Sequence, residues 1–468
     1  MDCQIVYLKV GTMKPLPKHP SAGAWIVAAS LVERWLRGRE RVDDLIDLVG
    51  KETGVKASAG EPSAGVGRDR ARCQHLLFGV VRHFSRLEEA VAALVPRSPR
   101  PRLRAVLLLA GFELLDVTEG DAAKIVHHAV EQAKALLSPA EVRLVNAVLR
   151  KLAMSSVLKA GVPAADAAPE ALARHFSHPE WLVRRWLAQF GAAATRRLLE
   201  WNQMPAPVHA RWRPAPGGGE APPAWLQAGA REGFFMVPSG HWPEVEQLLA
   251  AGRLYLQDPA TMVAAGLLDI SAGETVLDLC AAPGGKSLLV ADILAERSRS
   301  SGNPAAQGRV VAVELPEPSR IERLKANLAK AEATDVALVQ ADVLQLSPHL
   351  LKEHGLPSSY AAVLLDAPCS NTGVMRHRAD VKWRLRDTDI AKHAAQQVAL
   401  LSAAARFAAP GGRIVYSTCS LEAEENEGVV ESFLRNCRGR FALEESRLVR
   451  PWEAGCDGAG AFRLRRQQ

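Results

Sequence analysis

The sequence has no Cys-x-x-Cys pair, and its seven cysteines (Cys3, Cys73, Cys280, Cys369, Cys419, Cys437 and Cys456) are odd in number. Such spacing excludes a disulfide framework and a structural zinc site, so no metal is expected and a reducing cytoplasm is the natural setting. No apolar run reaches the ~18 residues of a membrane span. The opening stretch MDCQIVYLKVGTMKPLPKHP lacks the apolar core and small-residue cleavage site of a signal peptide, so neither membrane nor export is indicated. Extremes of composition are missing too: 48% hydrophobic, 23% charged and 5% aromatic residues exclude disordered, collagen-like and coiled-coil classes. What remains is an ordinary folded chain of 468 residues, enough for on the order of three domains with their own cores.

Charge is uneven along the chain. Residues 1–160 carry 24 Lys+Arg against 17 Asp+Glu, whereas residues 161–468 carry 34 of each, so the whole surplus of +7 lies in the first third. A basic excess confined to one domain points to nucleic acid, because Lys and Arg displace counterions from phosphates. The same excess also serves plain solubility. From Ala24 to about Leu152 the pattern is helical throughout. Leu76, Leu77, Val80, Val81, Phe84, Leu87, Val91 and Leu94 recur at three and four residues, and Leu103–Leu115 and Ile125–Leu137 are similarly spaced. Ser138-Pro139 with Glu141 reads as a helix start. These stripes are core and predict an all-α bundle over 22–157. An N-terminal extension, 1–21, precedes it and is dispensable in its first dozen residues if translation starts at Met13 rather than Met1.

Residues 165–255 read as a small connecting domain, interrupted by a Pro/Gly-rich loop over 214–223. Trp181, Trp186, Trp201, Trp212 and Trp225 interleave there with Arg184, Arg185, Arg196, Arg197, Arg211 and Arg213. Base stacking is one use of that pattern, and core packing the commoner one. Over 256–468 short apolar runs alternate with helical segments: Thr275–Cys280, Arg309–Leu315, Val336–Ala341, Ala361–Leu365 and Arg413–Ser417, with helices such as Ser287–Arg297 and Ile321–Lys330. This predicts a mostly parallel, doubly wound, Rossmann-like α/β sheet. The polar run 296–308 reads as a surface loop.

Four of these strands end in an acid, Asp278, Glu314, Asp342 and Asp366, and ligands of open α/β sheets sit beyond the carboxyl ends of the strands. Any one of them alone is more often a helix cap; four at one edge point to a site. Asp278 leads into Cys280-Ala281-Ala282-Pro283-Gly284-Gly285-Lys286, a small-residue turn that lets backbone approach a ligand. A phosphate loop is excluded, because Cys280 stands where its first Gly must be. An adenosine cofactor without phosphates suits the acids: Glu314 accepts from ribose hydroxyls and Asp342 from the adenine amino group, while phosphates are repelled. S-adenosylmethionine fits that description. Cys369, in Asp366-Ala-Pro-Cys-Ser370, and Cys419, in Tyr416-Ser-Thr-Cys-Ser420, follow the fourth and fifth strands, which brings both thiols to the cofactor edge. The remaining cysteines outside the turn read as buried small hydrophobes.

At this point the residues resemble the RNA (cytosine-5)-methyltransferases, and within them the bacterial Sun/Fmu type that methylates small-subunit ribosomal RNA. The matching segments are Leu277–Lys286, Leu365–Val374, Asp380-Val-Lys-Trp383 and Tyr416–Ser420 followed by Glu424-Glu-Asn426. Upstream, Val145–Arg150 and the helical region resemble an RNA-binding NusB-like domain, and His178-Pro-Glu-Trp181 the start of a connecting domain. The resemblance implies that Cys280 to Lys286, Glu314, Asp342 and Asp366 bind the methyl donor, that Cys419 is the nucleophile and that Cys369 assists product release. This chain departs from the family pattern at Glu314, where Asp is commonest, at Arg376-His-Arg-Ala-Asp380, and at Asn371, where a small residue is usual.

The chemistry has its own logic. Cytosine C5 is a poor nucleophile, so a thiolate adds first to C6 and gives C5 enamine character. A free thiol, with a pKa of about 8.5, is mostly protonated at neutrality, and a neighbouring sulfonium and Lys286 are expected to lower that value. Asp366 is expected to contact the N3/N4 edge of the base. Structured ribosomal RNA is the expected partner, with Arg376, Arg378, Lys382, Arg384, Arg386 and Lys392 lining its approach, and a monomer is expected. Alternatives are transfer RNA or DNA as substrate, the latter with Cys369 as attacker, or a non-catalytic NusB-like assembly factor.

Overall fold

In a computed structural model the described residues are 23–52, 64–115, 117, 119–213, 220–303, 307–330 and 335–468. The expected extension 1–21 lies outside them, as do 214–219 of the Pro/Gly-rich loop and 304–306 of the polar loop. The chain forms two compact units, one of residues up to Gln203 together with Arg378–Arg384, the other of Met204–His377 and Leu385–Gln468. The region expected as a connecting domain is divided between them. No described helix is long and apolar enough to cross a membrane.

The first unit is helical, as the periodicity of three and four demanded. Its bundle runs from Ala24–Gly38 to Pro139–Leu152 and buries the Leu76, Leu77, Val80, Val81, Leu87 and Val91 stripe against Trp35 and Leu103–Leu109. The expected start at Ser138 carries a reciprocal capping box: Ser138 N donates to Glu141 Oε2 at 2.9 Å, and Glu141 N to Ser138 Oγ. Helices Pro169–His175, Glu180–Phe190 and Ala192–Gln203 complete the unit. Segment 378–384, remote in sequence, joins its core. Lys382, only 1% exposed, donates Nζ to Arg82 O at 2.9 Å, while Trp383 donates Nε1 to Val81 O at 2.7 Å and meets Phe84 edge-on. Lys382 is therefore withdrawn from solvent, contrary to the expectation that it lines an RNA path, and burial pushes its ammonium pKa well down.

The second unit opens with strands β1 (Val208–Trp212), β2 (Gln227–Ala228), β3 (Phe234–Val237) and β4 (Leu254–Leu256), an antiparallel sheet ordered β2-β3-β1-β4. Of the tryptophans in the connecting region, Trp186 and Trp212 are buried, and Trp225 stacks on His241. Arg211 and Arg213 pair with Asp292. The main sheet contains β5 (Thr275–Leu279), β6 (Arg309–Glu314), β7 (Val336–Gln340), β8 (Tyr360–Asp366), β9 (Ala408–Thr418), β10 (Phe441–Val449) and β11 (Ala459–Arg466), in the order β10-β11-β9-β8-β5-β6-β7. Strands β5 to β9 are parallel as expected, and β11 is antiparallel to both β9 and β10. Alternate residues supply two cores: Leu277, Leu279, Val311 and Val313 on one face, Val276, Val310 and Leu364 on the other. Helix Gly285–Ser300 runs three residues past the expected Arg297, into the start of the polar run. From β5 the chain winds outward through β6 to β7, then returns to β8 on the other side of β5, which puts the topological switch point at the ends of β5 and β8.

Candidate functional site

The turn Cys280–Lys286 leaves β5 at that switch point. Cys280 has a left-handed backbone, φ 63°, the conformation glycine adopts without penalty, at the position where a phosphate loop carries its first Gly. Gly284, at φ 103°, caps helix Gly285–Ser300, and a Cβ there would lie 2.8 Å from Leu324 Cδ1. The turn is fixed by its neighbours: Ala281 N donates to Val313 O at 3.1 Å, Ala282 N to Glu314 Oε2 at 2.7 Å, and Asn327 Nδ2 to Pro283 O at 2.8 Å.

The four acids stand where the strand pattern put them, but not in equal settings. Asp278 is fully buried beneath the turn, accepting from Ser287 Oγ, with Oδ1 lacking any partner. Burial pushes its carboxyl up to about 7, against the lowering effect of the Ser287 hydroxyl. Glu314 also accepts from Leu315 N at 3.0 Å and Arg320 Nη1 at 3.2 Å. Asp342 accepts from Leu344 N at 2.9 Å, as a turn cap would. Asp366, 31% exposed, accepts from Lys286 Nζ at 2.7 Å and from Ser417 Oγ at 2.9 Å. Lys286 itself is 20% exposed; burial disfavours its charge, but Asp366 and, more weakly, Cys419 and Asp278 carry its pKa above the ordinary lysine value.

Cys369 and Cys419 meet across the ends of β8 and β9, with their sulfurs 3.3 Å apart, well beyond the ~2.05 Å of a disulfide. The Cys369 thiol is pushed well up, first by its hydrogen bond to Cys419 and next by burial. Asn371, the expected departure from the family pattern, is left-handed at φ 61°; it donates Nδ2 to Cys369 O at 2.8 Å and accepts from Cys419 Sγ at 3.3 Å. Gly373 locks the loops together, its N–H donating to Cys419 O and its carbonyl accepting from Gly458 N, both at 2.9 Å.

Glu425 and Asn426, which the sequence shows only within the family-like run, support both thiol loops. The Glu425 carboxylate is fully buried; it accepts from Ser370 N at 2.9 Å, Gln397 Nε2 at 3.0 Å, Ser420 Oγ at 2.6 Å and Ser370 Oγ. Asn426 donates Nδ2 to Ser420 O at 2.9 Å and accepts from Thr418 Oγ1 at 2.8 Å. The signal available was the Ser/Thr content of both loops, whose hydroxyls need a buried acceptor.

A cleft of about 70 Å³ lies beside Cys419, lined also by Lys286, Val374, Ser417, Asp258 and Asp457. Asp258, His377 and Asp457 have the residue types of a metal site, with donor atoms within 4.8 Å of one another. They already have partners within the protein: His377 Nδ1 lies 2.9 Å from Asp457 Oδ1, and Asp258 Oδ1 accepts from the backbone N of Asp457 at 3.1 Å and of Ala260 at 2.8 Å.

Comparison with known proteins adds the following. The family described as "16S rRNA methyltransferase RsmB/F" matches residues 265–457, and the "NusB family" matches residues 27–154. Curated relatives carrying the name ribosomal RNA small subunit methyltransferase B include one from Serratia proteamaculans, 30% identical over 84% of this chain and 90% of its own length. Another, from Salmonella paratyphi B, is 31% identical over 84% and 90%. Among solved structures, PH0851 is similar at 21% identity over 97% of this chain and 100% of its own, with a TM-score of 0.70. A methyltransferase homolog from Pyrococcus horikoshii is similar at 20% identity over 64% and 99%, with a TM-score of 0.50. Identities this low speak for the fold.

Proposed function

The chain belongs to the RsmB/F family of 16S rRNA methyltransferases, and from that premise we propose that it transfers a methyl group from S-adenosylmethionine to C5 of a cytosine in small-subunit ribosomal RNA, through a transient bond between Cys419 and C6. The observation that carries this reading is the pair of sulfurs 3.3 Å apart at adjacent strand ends, beside the Lys286–Asp366 ion pair. One thiol can attack while the other attends the leaving sulfur.

When bound, S-adenosylmethionine supplies an electrophilic methyl on a cationic sulfur. The residues fit it: carboxylates of Glu314, Asp342 and Asp366 offer acceptors to hydroxyl and amino groups and attract positive charge, while the turn Cys280-Ala281-Ala282-Pro283-Gly284-Gly285-Lys286 brings bare backbone to the crevice. We assign Glu314 to the ribose and Asp342 to the adenine amino group. Cys419 adds to C6, and C5 becomes nucleophilic. Asp366, oriented by Lys286 and Ser417, holds the N3/N4 edge of the base. Cys369, protonated and in contact with Cys419, assists departure of the Cys419 sulfur. RNA capture falls to the NusB-like bundle of 22–157 and methyl transfer to 256–468. The reading places the enzyme where ribosomal RNA is made, in the cytoplasm.

Two variants test this. Cys419→Ala is expected to abolish methyl transfer and RNA adduct alike, while Cys369→Ala accumulates a covalent RNA–protein species on denaturing gels. If instead Cys419→Ala forms the adduct and Cys369→Ala does not, the attacker is the other thiol and the reading falls. Bisulfite sequencing of small-subunit and transfer RNA, with and without the enzyme, identifies the polymer and the cytosine.

A further inference from the structure

We propose that Asp457 is the base that removes the C5 proton in the last chemical step, an assignment that rests on the cytosine-5 reading above. Once methylated, C5 carries both a proton and the new methyl. The C5–H bond then breaks and its electron pair forms C5=C6. The C6–S bond breaks in turn, its pair returns to Cys419 as thiolate, and the proton passes to an acceptor. Atoms and charge balance only if that acceptor is basic and faces the same cleft.

The groups around Cys419 can be taken in turn. Cys369 holds its own proton, because its hydrogen bond to Cys419 and its burial both push its pKa well up. Asp366 has one oxygen on Lys286 Nζ at 2.7 Å and the other on Ser417 Oγ at 2.9 Å. Asp258 lines the cleft, but its Oδ1 takes two backbone N–H groups and its Oδ2 lies 3.1 Å from His209 Nδ1, so it staples the wall. Asp457 remains. It lines the same cleft of about 70 Å³ as Cys419, so it shares a wall with the sulfur to which the pyrimidine is bonded.

His377 orients this carboxylate. Its Nδ1 lies 2.9 Å from Asp457 Oδ1 and its Nε2 lies 3.3 Å from Pro207 O, so the ring is held at both nitrogens and grips one carboxylate oxygen. Burial raises the Asp457 carboxyl above the ordinary aspartate range, partly offset by His377. That makes it a better proton acceptor than a solvated aspartate.

The test uses full-length enzyme and RNA substrate tritiated at cytosine C5. Asp457→Asn is expected to bind the donor in calorimetry and to transfer about one methyl per enzyme. Tritium release should slow by about 10²- to 10⁴-fold, with methylated covalent adduct accumulating. Asp457→Ala, which makes room beside Gly458, is expected to regain release on addition of formate, a rescue that a structural role does not give. Tritium release at the wild-type rate in Asp457→Asn overturns the assignment, as does a variant that binds donor yet transfers no methyl. Failure of Cys369→Ala to trap RNA sinks the cytosine-5 reading instead, and is seen separately.

Discussion

Asp278 and Glu425 are both buried carboxylates, and they illustrate opposite solutions. Glu425 gathers four hydrogen-bond donors. Asp278 has one hydroxyl partner and an orphaned oxygen, and burial raises it to about 7. A carboxyl whose folded pKa exceeds its unfolded value contributes stability fully present below about pH 4, and loses it as the pH rises through 7. The donor-free protein should therefore lose a few kcal/mol of stability from this group between about pH 4 and 7. Asp278→Asn should flatten that slope, which denaturant unfolding across the pH range measures; an unchanged slope refutes the assignment. At this scale much of the site was legible, because nucleophile, turn and strand-end acids sit in short contiguous motifs. Asn371 as a partner of Cys419 was not, since nothing local tells a side chain which way to face.

At the level of elements, the loops after β8 and β9 and the one before β11 are drawn together at Gly373. A Cβ there would lie 2.7 Å from Cys419 O and 2.8 Å from Gly458 O, closer than real contacts allow, so Gly373→Ala must shift at least one loop. Displacing a nucleophile by a fraction of an ångström is costly. The variant is expected to lose about 10²-fold in kcat and ~1–3 kcal/mol in stability, with donor affinity nearly unchanged. Single-turnover kinetics beside calorimetry separate these, and retained kcat shows that the loop yields without moving Cys419. The inner parallel strands β5, β6 and β8 were readable because they are buried on both faces over most of their length and their sequences run apolar. The hairpin β10–β11 was not read: Phe441–Val449 is exposed along most of its length and ion-paired through Glu444 and Glu445 to Arg463 and Arg465, so it carries neither an apolar run nor clean alternation.

For the molecule as a whole, the charge surplus of the first third has a measurable correlate. Arg143, Arg150 and Lys151 are exposed on helix Pro139–Leu152. RNA affinity should fall linearly with salt on a log–log plot, and replacing Arg150 and Lys151 together by Gln should reduce the slope by about two. An unchanged slope shows that these side chains meet no phosphate. Helix content and sheet class were legible at this scale; the partition into units was not, because it depends on segment 378–384. Its Trp383 and Lys382 sit within the helical unit although nearly 180 residues separate them from Gln203. No single cut of the polypeptide thus yields both units whole: severed at residue 203, the bundle forfeits the peg that fills its core, and the remainder carries that peg with nothing to receive it.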